Sequence, residues 1–365
     1  MKLFNCTSCG NLVFFENSTC ISCQSKLGFL PDELTLVALE PAGTKLWRVA
    51  GSENGDRKYR KCYNYEVHQV CNWMVRDGQD GDFCQACSLN RTIPDLNDQK
   101  KKFHWYKLET EKRRLIYSLL RLGLPVYPQN QDPTGLAFDF LADTPDTLNE
   151  SGPVMTGHLN GLITINIAEA DPVKREDTRR KMGEKYRTIL GHFRHESGHY
   201  YWDRLVRDGE SHDKFRALFG NETQDYAQAL SRHHEYGPPA DWHRFFVSAY
   251  ASCHPWEDWA ETWSHYLHII DTLETAHQFG LKVENQWGES DAFTTAQDFD
   301  AYRQSDFQVL IRNWFPLTLA INSINRSMGH AHVYPFVLTS SVVEKLEFVH
   351  HVIRSAQEVF QIQER

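Results

Sequence analysis

The chain has 365 residues, of which 41% are hydrophobic and 24% are charged, and its formal net charge is −9. This length and balance are typical of a soluble globular protein of two or three units, with a core large enough to hold a catalytic site. No stretch approaches the roughly 20 consecutive apolar residues of a membrane span, and the negative net charge argues against general affinity for the phosphate backbone of nucleic acids.

Eight of the nine cysteines lie before residue 90 and form two groups of four. The first group consists of two Cys-x2-Cys pairs separated by ten residues, which is the spacing of a closed tetrahedral zinc site. The second group has one such pair and two more widely spaced cysteines. The predicted ligands are Cys6, Cys9, Cys20 and Cys23 for a first structural zinc and Cys62, Cys71, Cys84 and Cys87 for a second.

Disulfide bonds are the alternative for these cysteines. The start Met-Lys-Leu-Phe-Asn-Cys shows no apolar secretory segment, and two-residue gaps favour metal binding. We therefore expect residues 1–90 to be a zinc-ribbon region of a cytoplasmic protein, in which coordination replaces the core that so short a region lacks. Cys253 is expected to be a small buried thiol rather than a reactive one.

A local basic cluster, Arg57-Lys-Tyr-Arg-Lys61, resembles the charge pattern of nucleic-acid-binding segments. No broad basic face surrounds it, so a protein partner or a role in capping the cleft is the better expectation for the ribbon. Residues 91–103, in which Pro94 is followed by three lysines, are predicted to link this region to a main domain over 104–365.

The main domain is predicted to begin with a helix over 105–122 and a short strand around 136–141. A second strand is predicted over 161–167, where apolar and polar residues alternate and β-branched side chains are common. A strand placed just ahead of a motif helix would offer an edge for main-chain pairing with an extended peptide.

The most informative motif, His195-Glu-Ser-Gly-His199, lies in residues 176–207, which lack proline and have apolar residues at helical spacing. On a long helix, His195 and His199 would share one face and bind one catalytic zinc. Glu196 would then point toward the open coordination position and take a proton from a bound water. The alternative is a helix whose histidines face solvent or an internal partner.

A second motif, Trp256-Glu-Asp-Trp-Ala-Glu-Thr-Trp263, opens another helical stretch. Carboxylates beside three tryptophans are costly unless they bind a cation, so Glu257 would be the third zinc ligand and Glu261 would orient a histidine. The alternative is that these acids only supply negative charge to the helix N-terminus. Tyr250, seven residues before Glu257, is either a hydrogen-bond donor to the oxyanion or a packing residue.

The residues between the two motifs form a long insertion for a compact zinc peptidase. Segments 215–219 and 226–230 can form helices that pack under the active site or cover it as a lid, and the sequence does not decide between the two arrangements.

Together, the stretches His195-Glu-Ser-Gly-His-Tyr-Tyr-Trp202 and His254-Pro-Trp-Glu-Asp-Trp-Ala-Glu-Thr-Trp-Ser-His-Tyr-Leu-His268 resemble the bacterial putative zinc-binding metallopeptidase family with an N-terminal zinc ribbon. The resemblance covers most of the chain, including Val333-Tyr-Pro-Phe-Val-Leu338, and groups it with the gluzincins. It implies that Glu257 binds zinc and Glu261 supports a histidine. The tyrosine seven residues upstream is similar to that of the anthrax lethal factor catalytic domain, which favours Tyr250.

These observations predict an α+β protein with a zinc-ribbon region followed by a mainly helical, zincin-like domain with a small sheet. The predicted function is hydrolysis of a peptide or amide bond in a peptide or protein substrate by a zinc-bound water that Glu196 activates. The alternative is a non-catalytic zinc-ribbon adaptor for a protein or nucleic-acid partner. The expected metal content is one catalytic and two structural zinc ions.

Overall fold

The computed structural model describes residues 2–51, 57–143, 152, 154–284, 295 and 299–363. It contains both helices and sheets, so the predicted α+β class is confirmed. The chain forms two compact units, the first made of residues 1–121 and 126–175 and the second of residues 122–125 and 176–365. No helix in the described ranges combines the length and apolar character needed to cross a bilayer.

The first unit begins with a hairpin that carries the first cysteine pair, followed by an antiparallel meander of five strands. The hairpin strands are β1 (Phe4–Asn5) and β2 (Leu12–Val13). The meander strands are β3 (Lys26–Leu30), β4 (Thr35–Gly43), β5 (Leu46–Val49), β6 (Tyr59–Lys61) and β7 (Met74–Arg76), and the short helix α1 (Tyr63–Glu66) lies between the last two. Phe29 also bridges to Trp73, which brings the first strand of the meander next to the last.

A long helix and a second sheet complete this unit. The helix is α2 (Gln99–Arg121), and the strands are β8 (Asn90–Thr92), β9 (Ala137–Leu141), β10 (Gly157–Leu159) and β11 (Leu162–Asn166). Their order is β10-β11-β9-β8, with β11 parallel to β9 and antiparallel to β10. Because β11 is paired on both sides, the expectation that this strand offers a free edge to a peptide is wrong.

The second unit is helical in its described residues. Its helices are α4 (Ile189–Leu205), α5 (His212–Phe219), α6 (Tyr226–Tyr236), α7 (Pro255–Gln278), α8 (Phe307–Ser327) and α9 (Ser340–Gln363), while α3 (Pro172–Lys181) runs across the division between the units. Helix α7 lies at the centre and packs against α4, α8 and α9. The side chains of Trp259, Trp263 and Tyr266 on α7 are fully buried, so this helix forms the core of the unit.

Two predicted segments differ from the structure. Residues 91–103, which were expected to form a linker, instead contain most of β8 and the first turn of α2. Strand β8 pairs with β9, and α2 has buried side chains, so both elements are integral parts of the fold. The single long helix predicted over 176–207 is two helices, α3 and α4. The chain breaks between them at Gly183, which has a positive φ of 66°, and Thr188 caps the new helix.

Candidate metal centre

The first motif lies on α4, whose start is fixed by its own sequence. The Thr188 hydroxyl accepts a hydrogen bond from the Gly191 amide at 2.9 Å, which is a standard N-cap. From this start, His195 and His199 fall on one face of the helix with ring centroids 5.0 Å apart. The side chain of His199 is buried and that of His195 is 13% exposed, so the pair faces a largely enclosed site.

The second motif lies on α7, which starts at a different kind of cap. The His254 imidazole accepts a hydrogen bond from the Trp256 amide, and Pro255 occupies the first helical position, where its missing N–H costs nothing. Glu257 therefore lies in the first turn, but its side chain is only 2% exposed. An acid that only supplied negative charge to the helix N-terminus would be exposed to solvent, whereas Glu257 is buried.

Two tryptophans of α7 fix how this helix lies on α4. The Trp259 indole N–H donates to the Gly198 carbonyl oxygen at 2.8 Å, and the Trp263 indole N–H donates to the Ser197 hydroxyl at 3.1 Å. Both bonds reach the motif between its histidines. The contact sets the register of the two helices and brings Glu257 against the histidine pair.

The three predicted ligands converge on one point. Glu257 Oε2 lies 3.0 Å from His195 Nε2, and Glu257 Oε1 lies 3.5 Å from His199 Nε2. The donor atoms of the three side chains all lie within 4.8 Å of one another. Donors held tetrahedrally about 2.0–2.1 Å from a zinc ion are about 3.3–3.4 Å apart, so these residues fit zinc.

Glu261, one turn beyond Glu257, contacts the far side of His195. Its Oε1 lies 2.8 Å from His195 Nδ1, and the Ser248 hydroxyl donates to its Oε2 at 2.6 Å. A carboxylate that accepts a hydrogen bond from Nδ1–H keeps the proton on Nδ1. The Nε2 atom of the same ring then has a free lone pair that can bind a metal. The structure therefore brings Glu261 to the position predicted for an orienting group.

The carboxylates at the centre differ in electrostatics. Burial raises the pKa of Glu257, but the nearby imidazoles of His199 and His195 outweigh burial and hold this pKa well below its usual range. Burial also raises the pKa of Glu196, and there the nearby histidines do not reverse the effect. Glu257 is therefore the stronger acid of the two, and Glu196 has the higher proton affinity.

Two tyrosines line the same centre. Tyr250 lies on a short 3-10 helix (Tyr250–Cys253), and its ring centroid is 6.0 Å from that of His195. Tyr226, at the start of α6, donates its hydroxyl proton to Glu257 Oε1 at 2.8 Å. Tyr226 is not among the predicted site residues, because no spacing links it to either motif and only the folded insertion brings it to the site.

The insertion forms two helices that contact α7 and the site in different ways. Helix α5 packs against α7, where Phe215 and Phe219 lie 6.1 and 5.9 Å from the Trp259 ring. Helix α6 contacts Glu257 through Tyr226, and His233 on the same helix is 6.2 Å from the Tyr250 ring.

The cysteines form two further clusters. The Sγ atoms of Cys6 and Cys23 and those of Cys9 and Cys20 are 3.7 Å apart, and those of Cys71 and Cys84 are 3.8 Å apart. Sulfurs bound tetrahedrally about 2.3 Å from zinc are about 3.8 Å apart, whereas a disulfide joins sulfurs at about 2.05 Å. All nine cysteines are free, and the quartets fit zinc rather than disulfides.

The clusters differ in exposure and surroundings. The first quartet has two exposed members, Cys9 and Cys23, whereas the second quartet is entirely buried. The basic cluster beside the second quartet is paired with acids, since Arg57 contacts Glu33 and Arg60 contacts Asp82. This pairing weakens the field that the cluster could offer to a phosphate backbone. Cys253 is half-buried, and burial raises the pKa of its thiol, which suits an inert side chain.

Comparison with known proteins finds two families along the chain. The model of a family described as "Putative zinc-binding metallo-peptidase" matches residues 101–352, and a zinc-ribbon domain matches residues 3–98. Similar proteins, each described as uncharacterized, occur in Mycobacterium bovis and in two strains of Mycobacterium tuberculosis. Each is 41% identical over 355 residues, which cover 97% of this chain and 95% of the relative. No solved structure matches the chain.

Proposed function

The chain belongs to the zinc-binding metallopeptidase family with an N-terminal zinc ribbon, and from that premise we propose that it is a zinc-dependent hydrolase of peptide or amide bonds. The resemblance drawn from the two motifs is confirmed at the level of the family. The proposal adds a gluzincin-type site, in which His195, His199 and Glu257 hold the catalytic zinc.

One observation carries this proposal. Donor atoms from two separate helices, two imidazole nitrogens and one carboxylate, meet at distances that suit zinc, beside the buried acid Glu196. Such a group of buried side chains is costly to assemble unless it binds a cation. Zinc at this site would lower the pKa of a water molecule and polarise the carbonyl oxygen of the substrate.

The remaining steps belong to side chains of this chain. Glu196 accepts a proton from the water as the water oxygen attacks the carbonyl carbon, and it returns that proton to the leaving nitrogen when the carbon–nitrogen bond breaks. Tyr250 donates a hydrogen bond to the oxygen that becomes negative during the attack. Glu261 keeps His195 in the tautomer and orientation that ligation requires.

The test of catalysis is Glu196→Gln, assayed on a mixture of fluorogenic peptides. We expect a fall in kcat of about 100-fold or more, because general-base catalysis contributes about 10²–10⁴, with an unchanged zinc content. Glu210→Gln, at an exposed position, is the matched control and keeps its activity. Full hydrolysis by Glu196→Gln would refute the role of Glu196.

The test of the metal assignment is zinc quantification. We propose that each cysteine quartet holds one structural zinc, so the full chain should bind three zinc ions and His195→Ala should bind two. His330→Ala, an exposed histidine of the same unit, should still bind three. A count that does not change in His195→Ala would remove the third centre.

A cytoplasmic location is also proposed. Eight thiols that are spaced for zinc and joined by no disulfide suit a reducing compartment. We also propose a functional division in which residues 1–90 are the ribbon region and residues 104–365 the catalytic region; the family matches over 3–98 and 101–352 support a division in this part of the chain.

A further inference from the structure

Tyr226, on α6, contacts the carboxylate of Glu257, the proposed zinc ligand. It is the first residue of α6, and the Asp225 side chain caps this helix through the Gln228 amide at 2.9 Å. The Tyr226 hydroxyl donates to Glu257 Oε1 at 2.8 Å, although the two residues are 31 positions apart. A hydrogen bond to a charged, buried acceptor is among the stronger ones in proteins.

The two oxygens of Glu257 have different partners. Oε1 accepts the Tyr226 proton, whereas Oε2 lies 3.0 Å from His195 Nε2 and accepts no hydrogen bond from any residue that the structure describes. A buried carboxylate oxygen without a hydrogen bond is costly unless it binds something else. Oε2 is therefore the oxygen available to a cation.

The ring of Tyr226 is held in place by the start of α7. Its centroid lies 5.3 Å from the His254 ring and 6.2 Å from the Trp256 ring, both in edge-to-face geometry. His254 is the cap of α7, and its Nε2 lies 3.3 Å from the carbonyl oxygen of Gln224, two residues before Tyr226. The contacts that start α7 thus also fix the direction of the Tyr226 hydroxyl.

We propose that Tyr226 is a positioning residue that occupies Oε1 of Glu257 and directs Oε2 to the metal, so that Glu257 binds zinc through one oxygen and a coordination position stays open for water. This inference rests on the proposed function, because it takes Glu257 as a zinc ligand. It assigns a role to α6, whose first residue holds the carboxylate of Glu257.

The test is the zinc affinity of Tyr226→Phe in the full chain, measured by competition with a chromogenic chelator. Phenylalanine keeps the ring contacts with His254 and Trp256 and removes only the hydroxyl. We expect the zinc that depends on His195 to bind about 10–100-fold more weakly, as for other partners of metal ligands. The two cysteine-bound zinc ions should keep their affinity.

Tyr236→Phe is the matched control, because Tyr236 is the last residue of α6 and is 74% exposed. Urea unfolding of the zinc-loaded proteins checks that both variants fold: we expect the wild-type midpoint for Tyr236→Phe and a cooperative transition at a lower urea concentration for Tyr226→Phe, because Glu257 loses a hydrogen-bond donor. If Tyr226→Phe bound the His195-dependent zinc within twofold of the wild-type affinity, the inference would be overturned. It would also be overturned if the affinity for all three zinc ions fell equally.

The outcome also separates this inference from the proposed function. If the wild type binds no third zinc, or if His195→Ala keeps it, the proposed metal site fails. If the wild type binds the third zinc, His195→Ala loses it and Tyr226→Phe binds it normally, only the role of Tyr226 fails.

Discussion

Gly198, the residue before the second histidine of the motif, allows the two motif helices to approach closely. A Cβ atom at this position would lie 2.9 Å from the Cα of Ala260 and 3.2 Å from two side-chain atoms of Trp263. Backbone atoms cannot move aside as a flexible side chain can. The glycine is therefore needed for the packing that places Glu257 against His195 and His199.

We expect Gly198→Ala to destabilise the second unit by about 1–3 kcal/mol, which is typical of overpacking, although alanine normally favours a helix over glycine. Urea unfolding followed by tryptophan fluorescence measures this, since Trp259 and Trp263 lie at the contact. Gly191→Ala is the control, because an added Cβ there meets only side-chain atoms, at 3.0 Å or more. A variant Gly198→Ala as stable as wild type would show that the helices can separate at no cost.

Glu261 is expected to act on zinc through His195. In Glu261→Ala the Nδ1 proton of His195 loses its acceptor, so we expect a 10–100-fold lower zinc affinity at this site. Ser248→Ala removes the donor to the other oxygen of Glu261 and the acceptor of the Ala251 amide, leaves the bond between Glu261 and His195 in place, and should weaken zinc binding less. Chelator competition on both variants gives the ranking, and a larger effect in Ser248→Ala would contradict it.

The residues of the proposed metal centre could be predicted from the sequence to different degrees. His195, His199, Glu257 and Glu261 follow from helical periodicity, because residues four apart share a helix face. The histidine pair and the glutamate pair come together because the indoles of Trp259 and Trp263 donate hydrogen bonds to α4. The spacing of residues in the sequence does not reveal these bonds. Tyr226 depends on how the insertion folds, which periodicity does not encode.

At the scale of the elements, local signals decided where helices begin. The predicted helix over 176–207 ignored Gly183 and Thr188, although a glycine at positive φ and a threonine cap are the usual ends of adjoining helices. The strands predicted around 136–141 and over 161–167 correspond to β9 and β11, but β10 and the pairing of the three strands were not predicted, because topology rather than the single strand sets the pairing partners.

Helix α7 is also bound to α9 by a buried ion pair. Lys345 Nζ donates to Asp258 Oδ2 at 2.6 Å and to the carbonyl oxygen of Phe245 at 2.8 Å, and Asp258 is fully buried. Asp258 follows Glu257 directly, so this pair holds α7 next to the proposed zinc ligand. Removal of one partner would leave an uncompensated charge in the core.

We expect Lys345→Met to cost about 3–5 kcal/mol of unfolding free energy, the usual result of breaking a buried ion pair. The double variant Asp258→Asn with Lys345→Met removes both charges and should recover part of that loss. Urea denaturation of the three proteins measures both effects. A double variant that is less stable than Lys345→Met would show that the buried charge is not the source of the loss.

At the scale of the whole chain, the compact units and the matched families divide the sequence differently. The two families meet between residues 98 and 101, whereas α2 belongs with the cysteine-rich region in the first unit. Its Tyr117 ring lies 5.5 Å from Phe15 and 6.1 Å from Phe29, and Arg113 donates to the carbonyl oxygen of Val70. The sequence analysis expected zinc to replace a core in this region, but α2 supplies one face of an aromatic core.

A pair of fragments tests this role of α2. Residues 1–98 and residues 1–175 both contain all eight cysteines of the two quartets, so both can bind two zinc ions. If zinc coordination alone specified the fold, the two fragments would have equal stability. Residues 1–98, however, lack the side chains of Trp105, Leu108 and Tyr117, each fully buried in the first unit. Full burial of one large apolar side chain stabilises a fold by about 1.5–3 kcal/mol.

We therefore expect zinc-loaded residues 1–175 to unfold cooperatively in urea and zinc-loaded residues 1–98 to unfold at a much lower urea concentration or without a cooperative transition. Tyr117→Ala in the longer fragment should fall between them, because it removes one buried ring and keeps the helix, at a cost of about 3–5 kcal/mol. Equal unfolding midpoints for the two fragments would mean that α2 only lies on a ribbon that zinc has already folded.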